Sequence, residues 1–83
     1  MLTLKNEVLE ILLPEGKTNA EILDLAKSEI KELTPKFFGL ELKITGRITT
    51  PLAMWLGHAL SHITKSISLF DPKLNSYVLV INH

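Results

Sequence analysis

The 83-residue chain contains no cysteine, which excludes disulfide staples and thiolate metal centres. It has no excess of charge of either sign: nine Lys and Arg stand against nine Asp and Glu, for a net charge of zero and a pI of about 6.8. Tight binding of a long nucleic acid normally draws on a basic excess, so that class is set aside. A small anionic ligand stays open, because a few cations at one site suffice and a two-fold dimer presents each of them twice. No apolar run approaches the ~18 residues of a membrane-spanning helix and no signal peptide is evident. The expectation is a soluble cytoplasmic protein.

What is present, 46% hydrophobic and 22% charged residues, is ordinary globular composition at the length of one domain, residues 1–83. A core of this size buries little more than ~60% of the unfolded surface. With no staple available, self-association is the expected supplement, as a homodimer or a higher homo-oligomer.

The apolar run Val8 to Leu13, stopped by Pro14-Glu15-Gly16, reads as a strand because it is too short for a helix. Thr18 and Glu21 form a capping box, and Ile22, Ala26, Ile30 and Leu33 make one apolar helical face. Thr34-Pro35 ends that helix. "LELKIT" alternates, with Leu40, Leu42 and Ile44 on one side, as a strand covered on one face does. A second helix is predicted from Thr50 as cap and Pro51 as first residue to about Thr64, with Leu52, Trp55, Leu56, Ala59, Leu60 and Ile63 buried. "SISLF" and "SYVLVIN" flank the turn "DPKL" as a hairpin. The run Tyr77 to Ile81 suits a strand covered on both faces. The fold class is therefore α/β: a mixed sheet with two helices, in the order strand, helix, strand, helix, strand, strand.

Four groups of residues could carry chemistry. His58 and His62 lie four apart on the second helix, a spacing at which two imidazoles can share a metal. His62 is predicted at the border of the buried stripe and His58 nearer solvent, where histidines are also common without any function. Asp71 opens the turn, where Asp ordinarily bonds the backbone, and Lys73 sits at its tip. Gly46-Arg47-Ile48-Thr49-Thr50 leaves the carboxyl end of a strand and enters a helix, a place where ligands bind in open α/β sheets. Free amides there suit a phosphate, with Arg47, Thr49 and Thr50 at hand; the competing reading makes Thr50 a cap and Arg47 a surface residue. A five-residue strand spans roughly 17 Å, which sets Asp71 far from His62 within one subunit.

The ordered set "ITGR…P…W…A…H" followed by "FDPKLNSYVLV" resembles the CRISPR-associated Csx-three family of ring nucleases, over roughly Ile44 to Ile81. The resemblance implies a substrate, the cyclic tetra-adenylate second messenger of type III CRISPR defence. It also implies manganese-dependent phosphodiester cleavage and an RNA exonuclease activity on adenylate tails. It matches the catalytic histidine to His62 and the catalytic aspartate to Asp71, and it implies a site assembled between opposing subunits that sandwich the ligand. Gly46, Arg47, Thr49, Thr50 and Lys73 are the expected ligand contacts; His62, Asp71 and more weakly His58 are the expected metal ligands. The chain departs from the pattern at Ala59 and Ser61, where histidine and tyrosine are frequent, and at Lys73, which keeps the charge of arginine but not its bidentate bonding. It ends at His83, where many members continue. Two other readings are a non-catalytic sensor or sponge for the cyclic nucleotide and a structural subunit with incidental histidines.

Overall fold

Leu2 and Leu4 alternate with Thr3 and Lys5, and this short stretch forms a strand, β1 (Leu2–Lys5), ahead of the expected ones. The chain turns at Asn6, whose φ of 55° is the left-handed conformation that Asn tolerates, and returns antiparallel as β2 (Val8–Ile11). The predicted order gains a strand at its start. Four residues with two apolar side chains carry too weak an alternation to stand out in sequence. The structure is a computed structural model describing residues 1–82, and His83 lies outside the described residues.

From β2 onward the elements follow expectation. Helix α1 (Asn19–Leu33) starts at its capping box: the Glu21 amide donates to Thr18 Oγ1 at 3.2 Å and the Thr18 amide donates to Glu21 Oε1 at 2.9 Å. The Glu21 carboxyl is held below its ordinary pKa, first by the bond it accepts from the Thr18 amide and then by the Thr18 hydroxyl. Ile22, Ala26 and Ile30 are buried as predicted. A 3-10 turn at Thr34–Lys36, with Pro35 in its first turn, leads into β3 (Glu41–Gly46). Helix α2 (Thr50–Ser61), β4 (Ser66–Asp71) and β5 (Ser76–Asn82) complete the chain.

The five strands lie in sequence order, with β2, β3 and β4 parallel and both outer pairs antiparallel. Both crossovers advance in the same direction, so right-handed connection puts α1 and α2 on one face, where they contact each other. Leu9, Leu42 and Ile67 are buried beneath them with Leu52, Leu56 and Leu60 of α2. Complete burial of each such leucine contributes about 1.5–3 kcal/mol, which sets the rotation of α2 on the sheet. Among the described residues no layer covers the other face of the sheet.

β5 departs from expectation. Its apolar run predicted cover on both faces, yet it is an edge strand hydrogen-bonded to β4 alone, with Leu79 55% and Val80 56% exposed. Within Tyr77–Ile81, Ile81 packs against the core. A register shift at Ile67/Ser68 leaves Val80 unpaired on β4. Strand order is the cause: the helices follow the crossovers, and within Tyr77–Ile81 it is Ile81 that α2 reaches, at Gly57. Among the described residues no helix is long and apolar enough to cross a membrane.

Candidate functional site

The expected site residues divide between the two ends of the sheet. At the carboxyl end of β3, Gly46 pairs with Ile11 of β2 at a φ of 105°. A Cβ built there would stand 3.1 Å from the Ile11 nitrogen and closer still to the Ile11 carbonyl oxygen. Glycine is required by both the close approach and the positive φ. It swings the chain out of the sheet, so that Arg47 emerges exposed and Ile48 packs against the core. Arg47 enters none of the ion pairs found among the described residues.

Helix α2 begins one position from where the sequence predicted its cap. Thr49, extended at φ −82° and ψ 156°, is the N-cap, and its hydroxyl accepts from the Leu52 amide at 3.4 Å. Thr50 is the first helical residue, and it is exposed. Both threonines suit a cap by type; the extended backbone of Thr49 decides between them, because only that conformation turns a hydroxyl back over the first turn. Of the two hydroxyls expected to meet a ligand, that of Thr49 is engaged in the cap.

Two cavities flank the Gly46–Arg47 stem. One, of about 720 Å³, lies toward the loop after β2 and is lined by Glu10, Leu13, Glu15, Lys17 and Arg47 among others. The second, of about 540 Å³, is lined by Thr45, Gly46, Arg47, Ile48, Phe70 and Pro72. Strand order here never reverses between β2 and β4, so these are hollows beside one protruding loop rather than the crevice of a doubly wound sheet.

Asp71 ends β4 between two residues that line the second cavity. It is half-buried, and its Oδ1 accepts from the Lys73 amide at 2.9 Å. The turn role expected of an aspartate at this place is thus realised, and Lys73 is held through its backbone with its side chain in solvent.

The histidines are at the opposite end. α2 closes at His62, its C-cap, rather than at Thr64. The Ile63 and Thr64 amides and the Thr64 hydroxyl all converge on the Leu60 carbonyl, which ends the helix there. The Gly39 amide donates to Ile63 O and the Lys65 amide to Leu40 O, each at 2.8 Å, pinning this helix end to the start of β3. His58 and His62 are both exposed, their rings edge to face with centroids 5.7 Å apart. His62 therefore stands in solvent and not at the border of the buried stripe: it is the C-cap, where the helix ends, while Leu60 and Thr64 on either side are buried. β4 lies between it and Asp71, running from Ser66 to Asp71, five steps of ~3.3 Å or about 16 Å.

Within one subunit the structure brings Gly46, Arg47, Thr49, Thr50, Asp71 and Lys73 to one end and His58 and His62 to the other. Among the described residues no three His, Asp or Glu side chains are grouped to share a cation. Of the expected ligands, two imidazoles stand at one end and the Asp71 carboxylate at the other, which is short of a closed set for manganese within one subunit. No protein-family model, curated protein or solved structure matches the chain.

Sequence reasoning passed over Phe70 and Thr45, the aromatic ring and the hydroxyl beside Arg47. Their alternation was visible. The register that sets them side by side, one residue beyond the Ile44–Leu69 pair, was not.

Proposed function

We propose that the protein is a ring nuclease of the Csx-three kind, which binds cyclic tetra-adenylate at the Gly46–Thr50 end of the sheet and cleaves it in a homo-oligomer. The single observation that supports this reading is Arg47, outside every ion pair among the described residues, rising from a glycine-locked loop between two cavities at the carboxyl ends of the parallel strands. A guanidinium outside an ion pair is suited to a phosphodiester. In this reading His62 of one subunit faces Asp71 of another across the ligand. The imidazole takes the proton of a ribose 2′-hydroxyl, the freed oxygen attacks the adjacent phosphorus, and the 5′-oxygen leaves and takes up a proton. Asp71 orients the turn and, with Lys73 and Arg47, frames the phosphate. Manganese dependence and action on short RNA belong to the same proposal, as does a cytoplasmic setting; the donors of one chain carry no step through the metal.

In this reading the second subunit docks along β5. This edge is seven residues long, carries no charge and exposes Val78, Leu79 and Val80, whereas edges kept apart from other strands are usually short, charged or broken by proline. An uncharged strand pairs with its own antiparallel copy without repulsion.

A non-catalytic sensor is the second reading, favoured by the bond that already occupies Asp71 Oδ1. Labelled cyclic tetra-adenylate, incubated with and without manganese, separates the two: linear products are expected of the nuclease, and retention without products is expected of the sensor. His62→Ala and Asp71→Ala should each be nearly inactive, and mixing them with subunit exchange should restore part of the activity. A mixture that stays dead despite demonstrated exchange refutes the shared site.

A further inference from the structure

Phe70 is the one large aromatic of β4, and the strand's alternation turns it away from the helices. Ile67 and Leu69 pack against the core, whereas Phe70 stands outside the buried cluster. On the uncovered face its neighbours are Tyr77, its partner on β5, and Thr45 of β3. The Tyr77 ring meets it edge-on, with centroids 5.4 Å apart and an interplanar angle of 71°. Tyr77 is in turn capped by Lys43, whose ammonium lies 5.8 Å from the ring centre. That ammonium is neutralised by Glu7 at 3.3 Å, whereas Arg47 enters none of the ion pairs found among the described residues and lines the same cavity as Phe70. The ring lines the cavity of about 540 Å³ together with Thr45, Gly46, Arg47, Ile48 and Pro72. That volume falls in the range of small-molecule sites. Its chemistry is also divided in a particular way: an aromatic ring with two aliphatic neighbours, one hydroxyl, and one guanidinium at the rim.

We infer that this cavity is a nucleobase subsite, in which Phe70 stacks on a purine ring while Arg47 takes the attached phosphate. The inference rests on the nucleotide reading above and deepens it, since it assigns base binding to a residue outside the catalytic pair. The edge-on contact from Tyr77 holds the Phe70 ring in one orientation, so little rotational freedom is lost when a base docks. Base–aromatic stacking tolerates any base with a π face; selectivity for a purine comes from the larger overlap and from the Thr45 hydroxyl. The competing account makes Phe70 and Tyr77 a cross-strand pair that stabilises the hairpin and nothing else.

Adenosine 5′-monophosphate and ribose 5-phosphate, titrated by amide chemical shifts, separate the two accounts because they differ in the base alone. Wild-type protein should bind the nucleotide more tightly than the sugar phosphate, with shifts centred on Thr45, Arg47 and Phe70. Phe70→Leu keeps an apolar side chain but removes the π face. It should weaken adenosine monophosphate by roughly tenfold, the order lost with one stacked base, and leave ribose 5-phosphate unchanged. Phe70→Trp should restore the affinity, and Arg47→Ala should weaken both probes. The inference is overturned if Phe70→Leu leaves nucleotide binding intact, or weakens both probes alike as a damaged hairpin would. Cyclic tetra-adenylate is titrated in parallel. If it binds wild type and Phe70→Leu equally, stacking alone is refuted; if wild type binds none of the three probes, the nucleotide reading fails and stacking with it.

Discussion

Replacing Gly46 by alanine tests the point on which the loop geometry depends. The residue sits at a φ of 105°, and a Cβ there would press on the backbone of Ile11. Two costs add. Holding a non-glycine residue in a sparsely populated conformation costs about 1–3 kcal/mol. The clash is with backbone and not with a flexible side chain, so the ends of β2 and β3 must part, at about 1 kcal/mol for each hydrogen bond lost. The sum is about 3 kcal/mol or more. A chain of 83 residues has a total stability of roughly 4–12 kcal/mol, so the variant should be close to marginal. In urea, with an m-value near ~1.5 kcal/mol/M, the midpoint should fall by about 2 M. Gly16→Ala is the control: its φ of 72° is also positive, but nothing lies within 4 Å of the added carbon, so the loss should be about 1–2 kcal/mol. Equal losses in the two variants would show that the approach to Ile11 does not constrain position 46, and the account of how Arg47 is presented would fall with it.

Leu56→Ala should cost about 2–5 kcal/mol, because Leu56 is fully buried under the sheet-facing side of α2. Met54→Ala, at 78% exposed, should change stability by less than ~0.5 kcal/mol, and chemical denaturation of both variants checks the orientation of α2. The capping box should show in a pH profile. Because the Glu21 carboxyl is held below its ordinary pKa, its contribution is full above the unfolded value of ~4.3 and is lost as pH falls through the lower folded value. The stability difference between wild type and Glu21→Gln should therefore shrink in acid, and a difference constant with pH would refute it. Self-association along β5 should be abolished by Leu79→Lys, read as a halved mass in light scattering at micromolar concentration; a wild-type monomer there would count against the edge as an interface.

Much of this fold follows from local rules that act over a few residues. Thr18 and Glu21 mark the start of α1 because a cap is a contact between near neighbours. The spacing of Ile22, Ala26 and Ile30 marks its buried face for the same reason, and Thr34-Pro35 marks its end. The candidate residues were equally legible by type: a glycine and an arginine after a strand, histidines on a helix, an aspartate before a proline. Local pattern could not choose Thr49 over Thr50 as the cap, since both hydroxyls suit the role and the backbone ahead of them decides. Nor could it give strand order, which depends on contacts between residues distant in sequence. Strand order alone put β5 at an edge, where an apolar run that predicts burial lies open instead. Cross-strand register alone set Phe70 beside Thr45 and Tyr77. The separation of His62 from Asp71 stands between the two cases. The rise of an extended strand already implied it from sequence, and the bonds that pin the end of α2 to the start of β3 turned that length into opposite ends of one sheet.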